Sequence, residues 1–388
     1  MSSPNRRRFL LGAGSVASVG LAGCTGVRER LGDLRRESPD RRVAPDWRPG
    51  PGTWAERGHG PANTKHSPHA TPPREEPAIA WRHDLDGSYD GDIVVADGRV
   101  FLATDTHLLA LDATDGTLRW EHPLDAPCQL KYVDGRLYQL NWDTPESDVV
   151  AWASDGTERW RTTLPGQLRD VHEQDGYVFV TARDRYWTLH ADTGAVVRAR
   201  DQWVRYVASA GDAVYATYGG SLVRYDVDGR TLAQRWRARS DAVGTHGRPV
   251  VVGERVYVPR QDFSGDGEGV VAYDPAGEKR LGVTFDEGPP HLTWTGDGLL
   301  LEPTTTGDWS GLLALAPDGS RRWRTDAVGG ATPIAADGTV FTGFPLTALD
   351  AQTGDRLWEL DLGGPRRFAA AGSTLYVGTR EAVFALRA

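Results

Sequence analysis

Residues 97–120 read DGRVFLATDTHLLALDATDGTLRW, and this stretch decides the fold. Residues 337–358 read DGTVFTGFPLTALDAQTGDRLW and repeat the same pattern. Each copy opens with Asp-Gly, continues through an apolar strand, forms a second strand ending in Ala-Leu-Asp, turns at a glycine and finishes on tryptophan. Looser copies bring the total to eight between Trp81 and the C-terminus. A sequence period of about 20–50 residues is typical of solenoids and propellers.

The spacing of the repeat favours the propeller. The end of the second strand recurs at Asp112, Ala153, His190, Asp226, Asp274, Ala316, Asp350 and Arg387. The intervals between these positions are 34–48 residues, close to the length of one four-stranded blade. Each preceding strand opens with aspartate or glycine and alternates in hydrophobicity with period two, as strands joined by tight turns do. No stretch after residue 42 shows a helical period with caps. The sequence therefore predicts an all-β domain.

The two ends of the repeat region predict how the ring closes. The last repeat has its strands at 372–377 and 383–386 but lacks the strand that carries tryptophan. That strand occurs at the other end, in residues 78–85 around Trp81. Pairing it with the last blade closes the ring and leaves no long unpaired sheet edge. We predict an eight-bladed β-propeller, with seven blades as the alternative.

Six tryptophans occupy the same position of the repeat. They are Trp81, Trp120, Trp160, Trp236, Trp323 and Trp358. A shared repeat position predicts a shared structural role, so we expect these rings to fill the gaps between neighbouring blades. Stacking on a cofactor is the alternative interpretation.

The charge is unevenly distributed along the chain. Formal net charge is −9 overall, but nine arginines lie in residues 1–42, and residues 43–388 carry a net charge of −14. Lysine occurs only at Lys65, Lys131 and Lys279. An acidic surface with little lysine indicates adaptation to high salt, where screening weakens self-repulsion. The alternative is a codon bias towards arginine and aspartate. In either case no basic stripe predicts nucleic-acid binding.

The N-terminus resembles an export signal. Arg6 and Arg7 precede Phe9 and Leu10, and a short apolar run follows. The run is too short to span a membrane, which takes about 20 apolar residues. Paired arginines before Phe-Leu resemble the twin-arginine signal, which implies export of the folded protein. Leu-Ala-Gly before Cys24 resembles a lipobox, which implies that Cys24 carries the lipid.

The composition divides the chain into three segments. Residues 1–24 form the predicted signal peptide, and residues 25–46 have the polar, Arg- and Pro-rich composition of a disordered tether. Residues 47–388 form the predicted propeller. Cys128 is the other cysteine of the chain, and we interpret it as a small buried apolar residue. We expect the protein to sit on the outer face of the cytoplasmic membrane, attached through the lipid alone.

The repeat resembles a known family. The spacing Ala110-x-Asp112-x-x-x-Gly116-x-x-x-Trp120 is similar to the tryptophan-docking repeat of quinoprotein-like propellers, and the resemblance covers roughly residues 54–388. It implies one of two functions. One is a non-enzymatic lipoprotein similar to the scaffold of the barrel-assembly machinery. The other is a dehydrogenase of alcohols or sugars that uses pyrroloquinoline quinone and calcium.

The enzyme alternative requires features that the sequence does not show. A bound quinone needs a stacking platform, a cation beside its carbonyls and a carboxylate base. The resemblance to the alcohol dehydrogenases also implies adjacent cysteines, and this chain has none. We therefore predict a binding protein without a cofactor, whose partner is an envelope or surface protein.

Two groups of residues have the composition of metal ligands. Asp262, Ser264 and Asp266 copy the first half of a calcium loop, but its twelfth position is Tyr273 instead of a closing glutamate. We favour a solvated acidic hairpin there. Three histidines, at 59, 66 and 69, lie in a Pro-rich segment without a carboxylate pattern, and an ordinary polar loop is favoured.

The alignment of the repeats also predicts a ring of polar residues. Counting five or six residues back from each strand opener places side chains at one mouth of the central channel. The ring consists of Asp92, Gln129, Arg169, Asp170, Arg205, Tyr206, Arg248, His291, Thr332, Arg366 and Arg367. Its arginines contrast with the acidic body and suggest recognition of an anionic or polar small ligand, or of a partner loop. The alternative is that strand ends are simply polar.

Overall fold

The computed structural model describes residues 38–388 except for nine short internal stretches. These are 126–127, 142–144, 205, 219, 240–246, 261–267, 286–289, 304–310 and 327–329. All regular elements in the described part of the chain are β-strands. None of its segments is a helix of the length and hydrophobicity that crossing a membrane requires.

The described residues of the domain form thirty-three strands. The first two are β1 (His66–Ser67) and β2 (Ala78–Asp84). Blade 1 contains β3 (Tyr89–Ala96), β4 (Arg99–Thr104), β5 (His107–Asp112) and β6 (Leu118–Pro123). Blade 2 contains β7 (Cys128–Val133), β8 (Arg136–Asn141), β9 (Glu146–Ala153) and β10 (Glu158–Pro165). Blade 3 contains β11 (Leu168–Gln174), β12 (Tyr177–Ala182), β13 (Arg185–His190) and β14 (Val196–Asp201). Blade 4 contains β15 (Tyr206–Ala210), β16 (Ala213–Tyr218), β17 (Ser221–Asp228) and β18 (Thr231–Arg239).

The second half of the ring follows the same plan. Blade 5 contains β19 (Val250–Val252), β20 (Arg255–Arg260), β21 (Glu268–Tyr273) and β22 (Lys279–Phe285). Blade 6 contains β23 (Pro290–Trp294), β24 (Leu299–Pro303), β25 (Gly311–Leu315) and β26 (Arg321–Asp326). Blade 7 contains β27 (Ile334–Ala336), β28 (Thr339–Thr342), β29 (Leu346–Asp350) and β30 (Arg356–Leu360). Blade 8 contains β31 (Arg367–Ala371), β32 (Thr374–Gly378) and β33 (Ala382–Arg387), and it is completed by β2.

Each blade is an antiparallel sheet in which consecutive strands are neighbours. Blade 7 gains β1 as a short parallel partner of β27. In blade 8 the outermost strand is β2, which pairs with β33 from Ala78 opposite Arg387 to Asp84 opposite Ala382. The predicted eight blades and the predicted closure are therefore confirmed, and the alternative of seven blades is wrong.

The Asp-Gly openers form the tight turns that the sequence predicted. Asp97 and Gly98 have φ angles of 50° and 69°, and Asp337 and Gly338 have 47° and 66°. Two successive residues with positive φ make a type I′ turn, whose twist suits two-residue hairpins. These turns join the first and second strands of a blade, so they all lie on one face of the ring.

Five of the six shared tryptophans connect a blade to the next one, and Trp358 of blade 7 contacts Pro73, in the segment before β2. The indole of Trp81 donates to Ala113 O over 3.2 Å, and that of Trp120 donates to Ser154 O over 3.0 Å. A Cβ placed on Gly116 would lie 2.6 Å from the ring of Trp81, so glycine is needed for this contact. The same indole-to-carbonyl contact recurs at Trp160, Trp236, Trp323 and Trp358. The predicted packing role between blades is confirmed for the five.

An irregular segment crosses the channel before the first blade begins. We call residues 54–71 the floor segment. Its backbone forms hydrogen bonds of 2.7–2.9 Å with the innermost strands or their following turns in seven of the eight blades. The partners are Val95, Tyr132, Ser209, Val251, Trp294, Ala335 and Gly372. All of them lie near the C-terminal ends of the inner strands, so the floor segment closes that end of the channel.

Part of the predicted tether packs on the ring as well. Within residues 38–46, Val43 is buried and its carbonyl accepts from Asp175 N in blade 3. Arg41 forms an ion pair of 2.6 Å with Glu173. Val43 and the salt bridge of Arg41 hold residues 38–46 against blade 3. The polar composition of these residues did not predict this packing. Residues 25–37 lie outside the described part, and the predicted domain boundaries stay predictions.

Candidate functional site

The floor segment lies at one end of the channel, and the inner strands begin at the other end. We call this other end the open mouth. Three adjoining cavities occupy the channel between floor and mouth, with volumes of about 130, 230 and 500 Å³. The predicted ring residues that line them are Asp92, Gln129, Arg169, Asp170, Tyr206, Arg248, His291, Thr332 and Arg367. Repeat counting therefore placed side chains from all eight blades along one channel. Arg205 lies outside the described residues, and Arg366 lines a separate groove between blades 7 and 8.

The floor contributes charged residues that the repeat did not predict. Glu56, Arg57 and Lys65 belong to the irregular floor segment, which follows no strand period. Arg57 lines all three cavities, and 47% of its side chain is exposed within the channel. Lys131 comes from the inner strand β7 of blade 2. The rarity of lysine is the signal in the sequence that could have identified Lys65 and Lys131. The chain has three lysines, and two of them lie at this channel.

Four of these side chains form a buried network of opposite charges. Lys131 Nζ lies 3.0 Å from Glu56 Oε1 and 3.5 Å from Asp170 Oδ1. Arg248 lies 2.8 Å from Asp170 Oδ2 and 3.7 Å from Glu56 Oε2. Burial opposes the charge on Lys131, but Glu56 and Asp170 outweigh it and raise the pKa of this lysine. Two bases thus balance two acids, which is the condition for keeping charges inside a protein.

A second group of charges lies towards blade 6. Lys65 donates to the carbonyl of Leu292, and burial followed by the nearby cations Arg57 and Arg248 lowers its pKa to about 7. The side chain of His291 lines the channel cavity, and its exposed surface faces the inside of the channel. Desolvation and the cations beside it, first Lys65, lower its pKa to about 4. In both cases burial is the largest cause, and the neighbouring cations add to it.

The negative charge of Glu302 opposes the lowering of the pKa of Lys65. Glu302 is the partner of His291 in the β23–β24 pair. Burial raises the pKa of Glu302 to about 7.

Of the residues considered as metal ligands, the three histidines lie in the described part of the chain. The histidines at 59, 66 and 69 line a cavity of about 420 Å³ on the outer side of the floor segment. Burial and then the neighbouring histidines lower the pKa of His59 to about 3. In the described ranges of the chain, no group of three His, Cys, Asp or Glu side chains is placed to hold a metal ion. Asp262, Ser264 and Asp266 lie outside those ranges.

The described walls of the channel lack the platform on which a quinone stacks. Such a cofactor needs a flat aromatic platform, whereas the docking tryptophans are used between blades. Among the described residues that line the three cavities, Tyr206 provides the one phenol ring and no tryptophan is present. Cys128 lines the largest of the three channel cavities but is 6% exposed, and burial raises the pKa of its thiol.

Comparison with known proteins agrees with this architecture. The crystal structure of BamB from Moraxella catarrhalis superimposes with a TM-score of 0.63, 16% identity and coverage of 81% of this chain and 98% of that one. The computationally designed Ika8 protein gives a TM-score of 0.62 at 12% identity, covering 80% of this chain and 99% of its own. At these identities the two structures establish the fold alone.

Sequence comparison establishes the family. Outer membrane protein assembly factor BamB of Alkalilimnicola ehrlichii is 29% identical over 44% of this chain and 48% of its own length, so the chain spans about half of this curated relative. The family model described as outer membrane protein assembly factor BamB matches residues 74–131, 123–290 and 206–388. The matches confirm the predicted resemblance, and the family model and the relative are both described as an assembly factor. The chain belongs to the family of outer membrane protein assembly factor BamB.

Proposed function

We propose that this protein is an exported, lipid-anchored scaffold that binds an envelope protein at its open mouth. The observation that carries the proposal is the difference between the two ends of the channel. The floor segment occupies one end, whereas polar side chains from all eight blades surround the other. A partner segment therefore reaches the channel from the open mouth.

The face around the open mouth also presents aromatic surface. In the part of the chain that the structure describes, the exposed large aromatic side chains are Trp203 and Phe344, with 38% and 65% of their surface accessible. Trp203 stacks on Tyr218 with ring centroids 4.2 Å apart. Both belong to connections on the open-mouth side, one before β15 and one between β28 and β29. Exposed aromatic anchors beside arginines are typical of protein-binding surfaces.

The partner that fits this face is an envelope protein with a segment bearing carboxylate and apolar side chains. Arg169 and Arg367 line the channel at the mouth and complement acidic side chains. Trp203, before the first strand of blade 4, and Phe344, in blade 7, lie on the open-mouth side and offer apolar contacts. The relative and the family model described as outer membrane protein assembly factor support a partner of this class.

A photo-crosslinking experiment in native membranes tests the partner. A photoreactive residue in place of Trp203 or Phe344 is expected to give a discrete product containing an exported envelope protein. Leu118 serves as the matched control, since it is 44% exposed but lies at the other face, beside the turn that precedes β6. The same partner should fail to co-purify when Trp203 and Phe344 are both changed to serine. Equal products from the Leu118 site, or products with cytoplasmic proteins alone, would contradict the proposal.

The anchor has its own test. Cys24 lies outside the described residues, and its lipidation is proposed from the Leu-Ala-Gly-Cys motif. Cys24→Ser is expected to move the protein from the membrane pellet to the soluble extracytoplasmic fraction. Its folded state should not change, because the residue lies 14 positions before the first described residue. Cys128→Ser, which keeps the motif, is the control and should stay in the pellet. Retention of Cys24→Ser in membranes washed with high salt would exclude the lipid anchor.

A further inference from the structure

One of the three channel cavities has an unusual wall. It lies above the floor segment next to blades 4, 5 and 6 and has a volume of about 230 Å³. Three basic side chains, Arg57, Lys65 and Arg248, line it, and its described wall contains no carboxylate. This composition contrasts with that of the whole chain, in which acids outnumber bases.

The bases line this cavity, whereas the nearby acids Glu56, Asp92 and Asp170 line an adjoining one. The acids Glu56 and Asp170 stand between Lys131 and Arg248, so that these four charges cancel. Arg57 and Lys65 are two further bases, and they are opposed by Asp92, which lies 4.0 Å from the guanidinium of Arg57, and by Glu302. A wall whose described residues carry three bases and no carboxylate is an attractive site for an anion.

The wall also supplies neutral polar groups beside the cations. Tyr206 and Thr332 carry hydroxyl groups at the cavity, and both come from the mouth ends of inner strands or the residues before them. Asn63 is fixed by donating its side-chain amide to Pro249 O over 2.9 Å. The cavity therefore combines fixed charge with hydrogen-bonding groups on several blades, which is the composition of a specific ligand site.

We propose that this cavity binds a small oxyanion, with the chemistry of a carboxylate or a phosphate, between Arg57, Lys65 and Arg248. The ligand enters from the open mouth. A free small molecule is favoured over a protein loop, since the cavity lies at the floor of the channel and is limited to about 230 Å³. This site lies at the floor of the same channel, and its test does not depend on the protein-binding face.

Proton uptake is a consequence of the proposal. The pKa of Lys65 is lowered to about 7 by burial and then by Arg57 and Arg248, while Glu302 opposes the shift. A bound anion favours the charged form of Lys65 and so raises its pKa, and it does the same for His291, whose pKa is about 4. At pH 8, where Lys65 is mostly neutral before binding, the anion should therefore bind together with a proton.

Titration calorimetry on the full chain provides the test, with inorganic phosphate and citrate as separate probes at fixed ionic strength. At least one probe is expected to bind, and Arg57→Gln should weaken that binding at least about tenfold, as loss of one charge-assisted hydrogen bond does. Arg161→Gln is the matched control, because Arg161 is an exposed arginine on the outer strand β10. It should change the affinity less than about twofold.

A second measurement keeps the proposal testable if a variant is less stable. At pH 8, titrations in two buffers of different ionisation enthalpy should reveal proton uptake in the parent protein and its loss in Lys65→Met. Binding of phosphate alone or of citrate alone identifies the oxyanion class and supports the site. Binding of neither probe, or binding by Arg57→Gln equal to that of the parent, would overturn it. These results are independent of the crosslinking at Trp203.

Discussion

Changing Trp81 to alanine is expected to lower the free energy of unfolding of the whole propeller by about 3–5 kcal/mol. Trp81 is 7% exposed and joins the strand that closes blade 8 to blade 1, through Gly116 and Ala113 O. Such a loss is a large part of the total stability of a domain, which is about 5–15 kcal/mol. Denaturant unfolding followed by tryptophan fluorescence measures it. Trp203→Ala removes an exposed tryptophan and should cost much less.

Two glycines allow the docking contact itself to be isolated. Gly116 and Gly98 have similar positive φ angles of 75° and 69°, so alanine strains the backbone at both. A Cβ at Gly116 meets the Trp81 ring at 2.6 Å, whereas one at Gly98 meets no atom within 4 Å. Gly116→Ala should therefore cost at least about 1 kcal/mol more than Gly98→Ala, and this excess should vanish in the Trp81→Ala background. Equal costs at the two glycines would contradict the docking role.

Lys131→Met is expected to cost about 3–5 kcal/mol, because it leaves the buried acids Glu56 and Asp170 with Arg248 as their remaining cation in the network. Lys131 joins the floor segment to blades 2 and 3, so the loss should also loosen the closed end of the channel. Lys279→Met is the matched control, since Lys279 is an exposed lysine at the start of β22. Its change should lie within about 0.5 kcal/mol of zero.

The acids supply a rescue experiment. Removing the charge of Glu56 with Glu56→Gln in the Lys131→Met background should restore part of the lost free energy, because fewer buried charges then lack a partner. Hydrogen exchange of the backbone amides of Tyr132 and Ser209, which bond to the floor segment, reports on the same end of the channel. If Lys131→Met and Lys279→Met gave the same midpoint of unfolding, the network would not stabilise the fold.

The blades could be predicted from sequence because their information is local and repeated. The Asp97-Gly98 opener fixes a hairpin, and period-two alternation fixes which side chains face the channel. Counting back from each opener therefore located Asp170 and Arg248 on one channel without knowledge of the structure. The six shared tryptophans revealed their packing role in the same way.

The floor could not be predicted by those means. Residues 54–71 are rich in proline, glycine and histidine, and their order comes from backbone hydrogen bonds to strands far away in sequence. Backbone groups are the same at every position, so such contacts leave no pattern of side chains. Glu56 and Lys65 were missed for this reason. Val43 likewise gave too weak an apolar signal within a polar stretch to indicate that it packs on blade 3.

The floor segment also determines how the propeller responds to mechanical load. A pull on the chain at residue 38 first reaches Arg41 and Val43 on blade 3. The force then passes along residues 54–71, whose bonds to the inner strands are arranged in series and break one after another. The closing strand β2 follows this segment in the chain, so it is loaded only after those bonds have failed. We therefore expect tension at the N-terminal side to detach the floor segment from the inner strands first. The pairing of β2 with β33, which closes the ring, is lost only afterwards.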